Sequence, residues 1–165
     1  MKEDERNKVV FVCTGNICRS PMAEALFKHA AAALPQNSPV RSLKIISAGT
    51  SATPNLAPSE YSVEVLKRVG IDISSYRSTL LSQKIVGEAF AIFAMEDWHI
   101  DTIRSRFKNL PMRIHRMLDF SNYSGDGNVP DPYGGDINEY LDVRDEIASS
   151  ISDVLTYVKN ECEKI

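Results

Sequence analysis

Cysteine is scarce in this chain: Cys13, Cys18 and Cys162 are the only three in 165 residues. An odd number without disulfide-scaffold spacing points to a reducing compartment and leaves the thiols available for chemistry. No apolar run approaches the roughly 18 residues that a membrane helix needs. The opening MKEDERNK is charged throughout and lacks the apolar stretch and small-residue cleavage site of a secretory signal. A cytoplasmic location with no membrane partner is therefore expected. There is no excess of either charge: 19 Lys and Arg stand against 22 Asp and Glu, a net charge of −3. The molecule as a whole is not drawn to nucleic acid or to an anionic membrane, so any anion must be caught by a local site. His29, His99 and His115 are scattered without a ligand grouping, and no metal or other cofactor is expected. Internal repeats, low-complexity tracts and interdomain linkers are also missing.

What is present suits one globular unit. Hydrophobic residues make up 43% and charged residues 25%, a balance that supports a core. A single domain over residues 1–165 is expected, with residues 1–7 as a disordered charged tail and the chain a monomer. Val9 to Val12 is a β-branched and aromatic run, the mark of a strand buried on both faces of a parallel sheet. From Pro21 the apolar spacing turns helical through Met22, Ala25, Leu26 and Ala33, with Ser20 and Pro21 read as N-cap and first-turn proline. Further strands are expected over 43–47, 89–94 and 113–117. Helices are expected over 60–69 (Tyr61, Val65, Leu66 and Val69 inward), 82–86, 97–107 (Ile100, Ile103 and Phe107 inward) and from 137 to about 162. Alternating strands and helices imply an α/β fold: a doubly wound parallel sheet of about four strands with helices on both faces. Ligands of such sheets sit at the carboxyl ends of the strands, which singles out the loop after the first.

That loop reads Cys13-Thr14-Gly15-Asn16-Ile17-Cys18-Arg19-Ser20. A short loop curling into a helix N-terminus turns successive backbone N–H groups inward as an anion nest, and Gly15 and Asn16 tolerate the left-handed conformations such a curl uses. Arg19 can fork onto two oxygens of a tetrahedral anion. The helix N-terminus and Arg19 favour the thiolate form of Cys13, and Ser20 can donate a hydrogen bond to its sulfur. A thiolate beneath a bound phosphate can attack phosphorus, making a phosphocysteine that water then hydrolyses, and one carboxyl group can serve as acid and then base. On the residues alone, Cys13 also reads as a small buried hydrophobe at a strand end. Asp131, between Pro130 and Pro132 and before Gly134-Gly135, lies on a stiff exposed loop and also reads as an ordinary turn aspartate.

The segment VCTGNICRSPMAEALF resembles the active-site segment of the low-molecular-weight protein tyrosine phosphatases, Asp131-Pro132-Tyr133 resembles that family's general-acid loop, and SAGT at 47–50 matches it too. The resemblance runs from Val9 to the last helix. It implies a flavodoxin-like fold and a cysteine-dependent, metal-independent phosphatase acting on tyrosine-phosphorylated protein. In that reading Cys13 is the nucleophile, Arg19 the phosphate clamp and Asp131 the general acid and base. Thr14, Gly15, Ile17 and Cys18 complete the phosphate loop; Asn16, Ser20 and Ser47 hold it; Tyr133 is an aromatic wall of the cleft.

Two features depart from the family pattern. The stretch 51–56 has no aromatic residue to form the opposite wall, so Leu56 is expected to stand in, and PDPYGG has one aromatic where many relatives have two. Bacterial protein arginine phosphatases are a closely similar group, with loops that read like CTGNTCRS. Ile17 occupies the position of the second threonine, and a β-branched hydrocarbon there favours packing beside an aryl ring. Arsenate reductases share the fold but relay a disulfide through additional cysteines, and a phosphopeptide-binding module without turnover would tolerate loss of the thiol. Cys18 reads as a packing residue, or as a partner that traps oxidised Cys13 in a reversible disulfide. The basic stretch Arg104, Arg106, Lys108, Arg113 and Arg116 reads as a solvated helix end, Trp98 as a packing residue, and Glu96 as a possible contact of the site's rim. Tyr76 and Tyr123 are expected to be exposed.

Overall fold

Val9, Val10, Phe11 and Val12 are all 0% exposed, and their strand β1 (Lys8–Cys13) lies inside a four-stranded parallel sheet. The computed structural model describes residues 2, 5–122 and 125–165. The remaining strands are β2 (Lys44–Gly49), β3 (Ala89–Ala94) and β4 (Arg113–Arg116), in the order β2-β1-β3-β4. Cys13 pairs with Gly49 at the end of β2, and Val12 with Ala94 at the end of β3. The chain moves from β1 to one side, then crosses to the other for β3. The connections after β1 and β3 therefore diverge, opening a crevice at the carboxyl end of β1.

Period-two alternation assigns the two faces. Val9, Phe11, Cys13, Ala91 and Phe93 pack toward α1 (Arg19–Ala32) and α5 (Ile137–Cys162), while Val10, Val12 and Ile92 face α3 (Gln83–Glu88) and α4 (Asp97–Arg106). A further helix, α2 (Glu60–Lys67), leans on α5 through Val65 and Leu66, and Ser59 and Ser82 cap α2 and α3 by accepting amide hydrogens. The single-domain doubly wound architecture is as expected.

Several local expectations are corrected. Helix α1 starts at Arg19 with Cys18 as its N-cap and no side-chain cap. Ser20 sits inside the first turn because its hydroxyl is engaged elsewhere, against Cys13 and Asn16. Helix α2 stops at Lys67, short of Val69, which is half-exposed; Tyr61 is also half-exposed and lies edge-on against Tyr140 of α5, while Val65 and Leu66 are fully buried. In α4, Ile103 is fully buried while Ile100 and Phe107 are only partly so; the unforeseen inward residue is His99. Trp98 is half-exposed, stacked on His99. The basic stretch is not one patch: Arg106 donates to Thr50 O, Arg113 is buried over the Phe90 ring and paired with Glu161, and Arg116 pairs with Asp97 and Asp119. Tyr76 is half-buried beneath Lys28, and Tyr123 lies outside the described residues. Within the expected tail, Arg6 and Asn7 are held by the fold. Arg6 is buried, donating to the carbonyls of Val86, Gly87 and Asn109, and the Asn7 amide donates to Glu88 O. No helix among the described residues is long and apolar enough to cross a membrane.

Candidate active site

The loop after β1 is held from outside by its carbonyls. Those of Cys13, Thr14 and Ile17 accept from the amides of Thr50, Ser51 and Ser59, and Cys18 O accepts from the Ser62 hydroxyl. These carbonyls are taken up by neighbouring segments, and the Asn16 amide donates to the Cys13 sulfur at 3.3 Å. Asn16 takes the left-handed conformation at φ 55°, whereas Gly15 does not, so the curl rests on the asparagine alone. Gly49 of the SAGT stretch has a separate role. A Cβ there would collide with Thr14 O and crowd the Asn16 amide, so only glycine lets β2 end this close to the loop.

Behind the loop runs a polar relay. Ser20 Oγ is 2.9 Å from Cys13 Sγ, Asn16 Nδ2 donates to Ser20 Oγ at 2.7 Å and to Ser47 Oγ at 2.9 Å, and Ser47 donates to Glu24 Oε2 at 2.6 Å. Asn16 Oδ1 accepts the Thr79 amide, which fixes the orientation of its side-chain amide. Glu24 was missed by sequence reasoning: on a helix following Pro21 it looks like a solvent-facing acid, yet it is only 8% exposed and also takes Lys28 Nζ at 2.5 Å.

Arg19 is 1% exposed. Its Nη1 donates to Glu96 Oε2 at 2.6 Å and to Val129 O at 2.9 Å. Its Nη2 donates to Thr14 Oγ1 at 3.3 Å and lies 3.5 Å from Asp131 Oδ2. Glu96, expected at the rim, does not line the cleft and reaches the site through Arg19, steadied by Trp98 Nε1 at 3.1 Å. Asp131 remains half-exposed, its Oδ1 accepting the Tyr133 amide. The Val129 amide, bonded to Met95 O, ties this loop to the end of β3.

Over the sulfur opens a cleft of about 270 Å³. Its floor is Cys13, Thr14, Gly15 and Arg19; Ile17 and Cys18 flank it; Leu56, Asp131 and Tyr133 form its mouth. Leu56 and Tyr133 both line it, Tyr133 72% exposed. Ser51 and Thr53 also line the cleft, unforeseen because nothing distinguishes them from loop residues. Asn16, Ser20 and Ser47 lie beneath the floor, in the relay.

His99 is the other residue missed. It is fully buried, its Nδ1 accepting the Glu96 amide and its Nε2 lying 3.0 Å from Thr14 Oγ1. Burial, assisted by the charge of Arg19 and opposed by that of Asp131, pushes it down to about 3. Cys18 is raised by burial, its sulfur 3.3 Å from Tyr140 Oη, and all three thiols are free.

Residues 8–164 match the family model of the low molecular weight phosphotyrosine protein phosphatases. A protein-arginine-phosphatase of Bacillus subtilis (strain 168) is 35% identical over 93% of this chain and 97% of its own length. The low molecular weight protein-tyrosine-phosphatase PtpA of Staphylococcus aureus (strain MRSA252) is 33% identical over 91% and 92%. The solved structure of a YwlE arginine phosphatase mutant with a phosphorylated active site serine superposes with a TM-score of 0.81 at 32% identity, covering 92% of this chain and 95% of that one. With nearly its whole length matched in sequence and in fold, the chain belongs to the low molecular weight phosphotyrosine protein phosphatase family.

Proposed function

We propose that the chain hydrolyses phosphotyrosine on proteins through a phosphocysteine formed on Cys13. The observation that carries this reading is the seating of one sulfur between the Asn16 amide, the Ser20 hydroxyl and the start of α1, at the floor of a cleft that also holds Arg19 and Asp131. A thiolate is stabilised there by hydrogen bonds and the helix dipole, without a base to deprotonate it at each turnover.

Nη1 of Arg19 is committed to Glu96 and Val129. That leaves the Nε–Nη2 edge to fork onto two phosphoryl oxygens, and the inward amides take the rest. Cys13 Sγ attacks phosphorus as the P–O bond to the tyrosyl oxygen breaks, and Asp131 protonates that oxygen as it leaves. Water then attacks the phosphocysteine, Asp131 accepts its proton, phosphate departs and the thiolate returns. The mutant relative with a phosphorylated active site serine supports a covalent phosphoryl intermediate at the nucleophile position. The amides and Arg19 supply the positive field, so no metal is required in this mechanism, and turnover is expected to persist in excess EDTA.

For the substrate, Ile17 and Leu56 offer hydrocarbon and Tyr133 a ring to an aryl phosphate, which favours phosphotyrosine. A relative named as a protein-arginine-phosphatase is 35% identical and one named as a protein-tyrosine-phosphatase 33%, so the discriminating experiment compares both substrates. The parent is expected to release phosphate faster from phosphotyrosine than from phosphoarginine peptides. Cys13→Ser should abolish turnover, and Asp131→Asn should slow substrates with poor leaving groups most. Preferential hydrolysis of phosphoarginine would overturn the substrate assignment, and full activity in Cys13→Ser would overturn the mechanism.

A further inference from the structure

Thr14 and His99 are 85 positions apart in sequence, yet their side chains meet at the edge of the cleft. The bonding pattern of this pair has a direction. Nδ1 of His99 accepts the Glu96 amide, so in the neutral ring the hydrogen is on Nε2, and Nε2 donates to Thr14 Oγ1. Nη2 of Arg19 donates to the same oxygen. A hydroxyl has two lone pairs and one hydrogen. With both lone pairs occupied, what Thr14 retains is its own hydrogen, and among the described residues no acceptor takes it.

The same Nη2 lies between Thr14 Oγ1 and Asp131 Oδ2, on the edge of the guanidinium left open for phosphate. A phosphoryl oxygen seated on Nη2 lies beside the Thr14 hydroxyl. We propose that Thr14 is a catalytic residue whose hydroxyl donates to this phosphoryl oxygen, and that His99 is the positioning residue that makes it a donor. A charged His99 would also hold Nε2–H toward Thr14, but would lose the Glu96 amide as a partner; the burial that keeps it neutral preserves both bonds.

This inference rests on the phosphatase reading above and deepens it. It is tested with phosphotyrosine kinetics and inhibition by vanadate. Thr14→Val, which keeps the shape and removes the hydroxyl, is expected to lower kcat/KM about tenfold or more and to weaken vanadate by a similar factor. Thr14→Ser should stay within about threefold of the parent. His99→Leu should lose what Thr14→Val loses, His99→Gln, with an amide donor at the same reach, should retain most of it, and His99→Leu should cost nothing further when combined with Thr14→Val. Parent-like kinetics and vanadate inhibition in Thr14→Val overturn the proposal, as does a His99→Leu loss that is undiminished in the Thr14→Val background. Turnover that survives Cys13→Ser defeats the underlying phosphatase mechanism instead, a result that no Thr14 variant produces.

Discussion

The Ser47 hydroxyl donates to the Glu24 carboxylate at 2.6 Å, joining the end of β2 to the first turns of α1 behind the thiol loop. Because that hydrogen is committed to Glu24, Ser47 Oγ is left to accept from Asn16, whose other amide hydrogen goes to Ser20. Ser20, already accepting, has Cys13 Sγ at 2.9 Å and Ala48 O at 3.5 Å as acceptors for its own hydrogen, and the sulfur is the nearer. One buried carboxylate thus gives the whole relay a polarity that ends with a donor on the sulfur.

Interrupting the relay should therefore act at a distance. Glu24→Ala is expected to destabilise the fold by about 1–3 kcal/mol, since Ser47 and Lys28 lose a charged acceptor, and to lower phosphotyrosine kcat/KM about tenfold through the loosened loop. Ser47→Ala should reproduce the kinetic loss at a smaller cost in stability, because Asn16 keeps its bonds to Ser20 and Thr79. Urea unfolding and steady-state kinetics check both. A Ser47→Ala protein with parent kinetics would show that the relay does not set the sulfur's environment.

The division between what could and could not be read from the sequence follows the range of the interactions. Continuous apolar runs such as Val9 to Val12 and Ala89 to Ala94 mark doubly buried strands by composition alone, and the CTGNICRS loop and the proline-flanked Asp131 mark themselves by local order. Glu24 and His99 carry no local mark. Each is polar, each sits on a helix, and each is buried only because a partner far along the chain, Ser47 or Thr14, satisfies it. Ser20 shows the same limit: its position suits a cap, but tertiary partners claim its hydroxyl. Tyr61 and Val69 fit one apolar phase, yet α2 ends at Lys67, short of Val69, and Tyr61 meets Tyr140 of α5 edge-on while its other side stays in solvent.

His99 gives a pH signature opposite to that of a salt-bridged histidine. Its folded value is about 3 against an ordinary 6.5. Between those limits the unfolded chain binds a proton that the folded chain refuses, so the contribution of this site is complete above about 6.5 and falls as pH drops toward 3. The loss reaches at most about 5 kcal/mol at the bottom of the window. In urea unfolding, His99→Gln is expected to be less stable than the parent at pH 7 and to approach it as the pH falls to 4. A parent–variant difference independent of pH would mean that His99 titrates normally in the folded state.

Ile17 lines the cleft with hydrocarbon where a threonine would present a hydroxyl to a phosphoramidate substrate. Ile17→Thr is expected to shift the ratio of phosphoarginine to phosphotyrosine turnover upward by about tenfold, of which part comes from weaker packing on the aryl ring and part from the new hydroxyl. Ile17→Val, which trims the side chain without adding a donor, should lower phosphotyrosine turnover and leave phosphoarginine unimproved. If both variants move the ratio equally, side-chain size and not the hydroxyl sets the preference.

The three thiols should separate cleanly by reactivity. Burial raises Cys18, and its sulfur lies against Tyr140 Oη, itself raised to about 12 by burial and by Cys18, so that the phenol stays protonated. Burial also raises Cys162 at the end of α5. Cys13 instead faces the Asn16 amide, the Ser20 hydroxyl and the Arg19 side of the cleft, an environment that attracts an anionic reagent. Iodoacetate at pH 6 is therefore expected to add a single carboxymethyl group, on Cys13, with loss of activity, and inorganic phosphate should slow the reaction by occupying the amide nest. Peptide mapping reads the site directly. Labelling of Cys18 or Cys162 at a rate comparable to Cys13, or no protection by phosphate, would show that the nest does not hold Cys13 as the reactive thiolate.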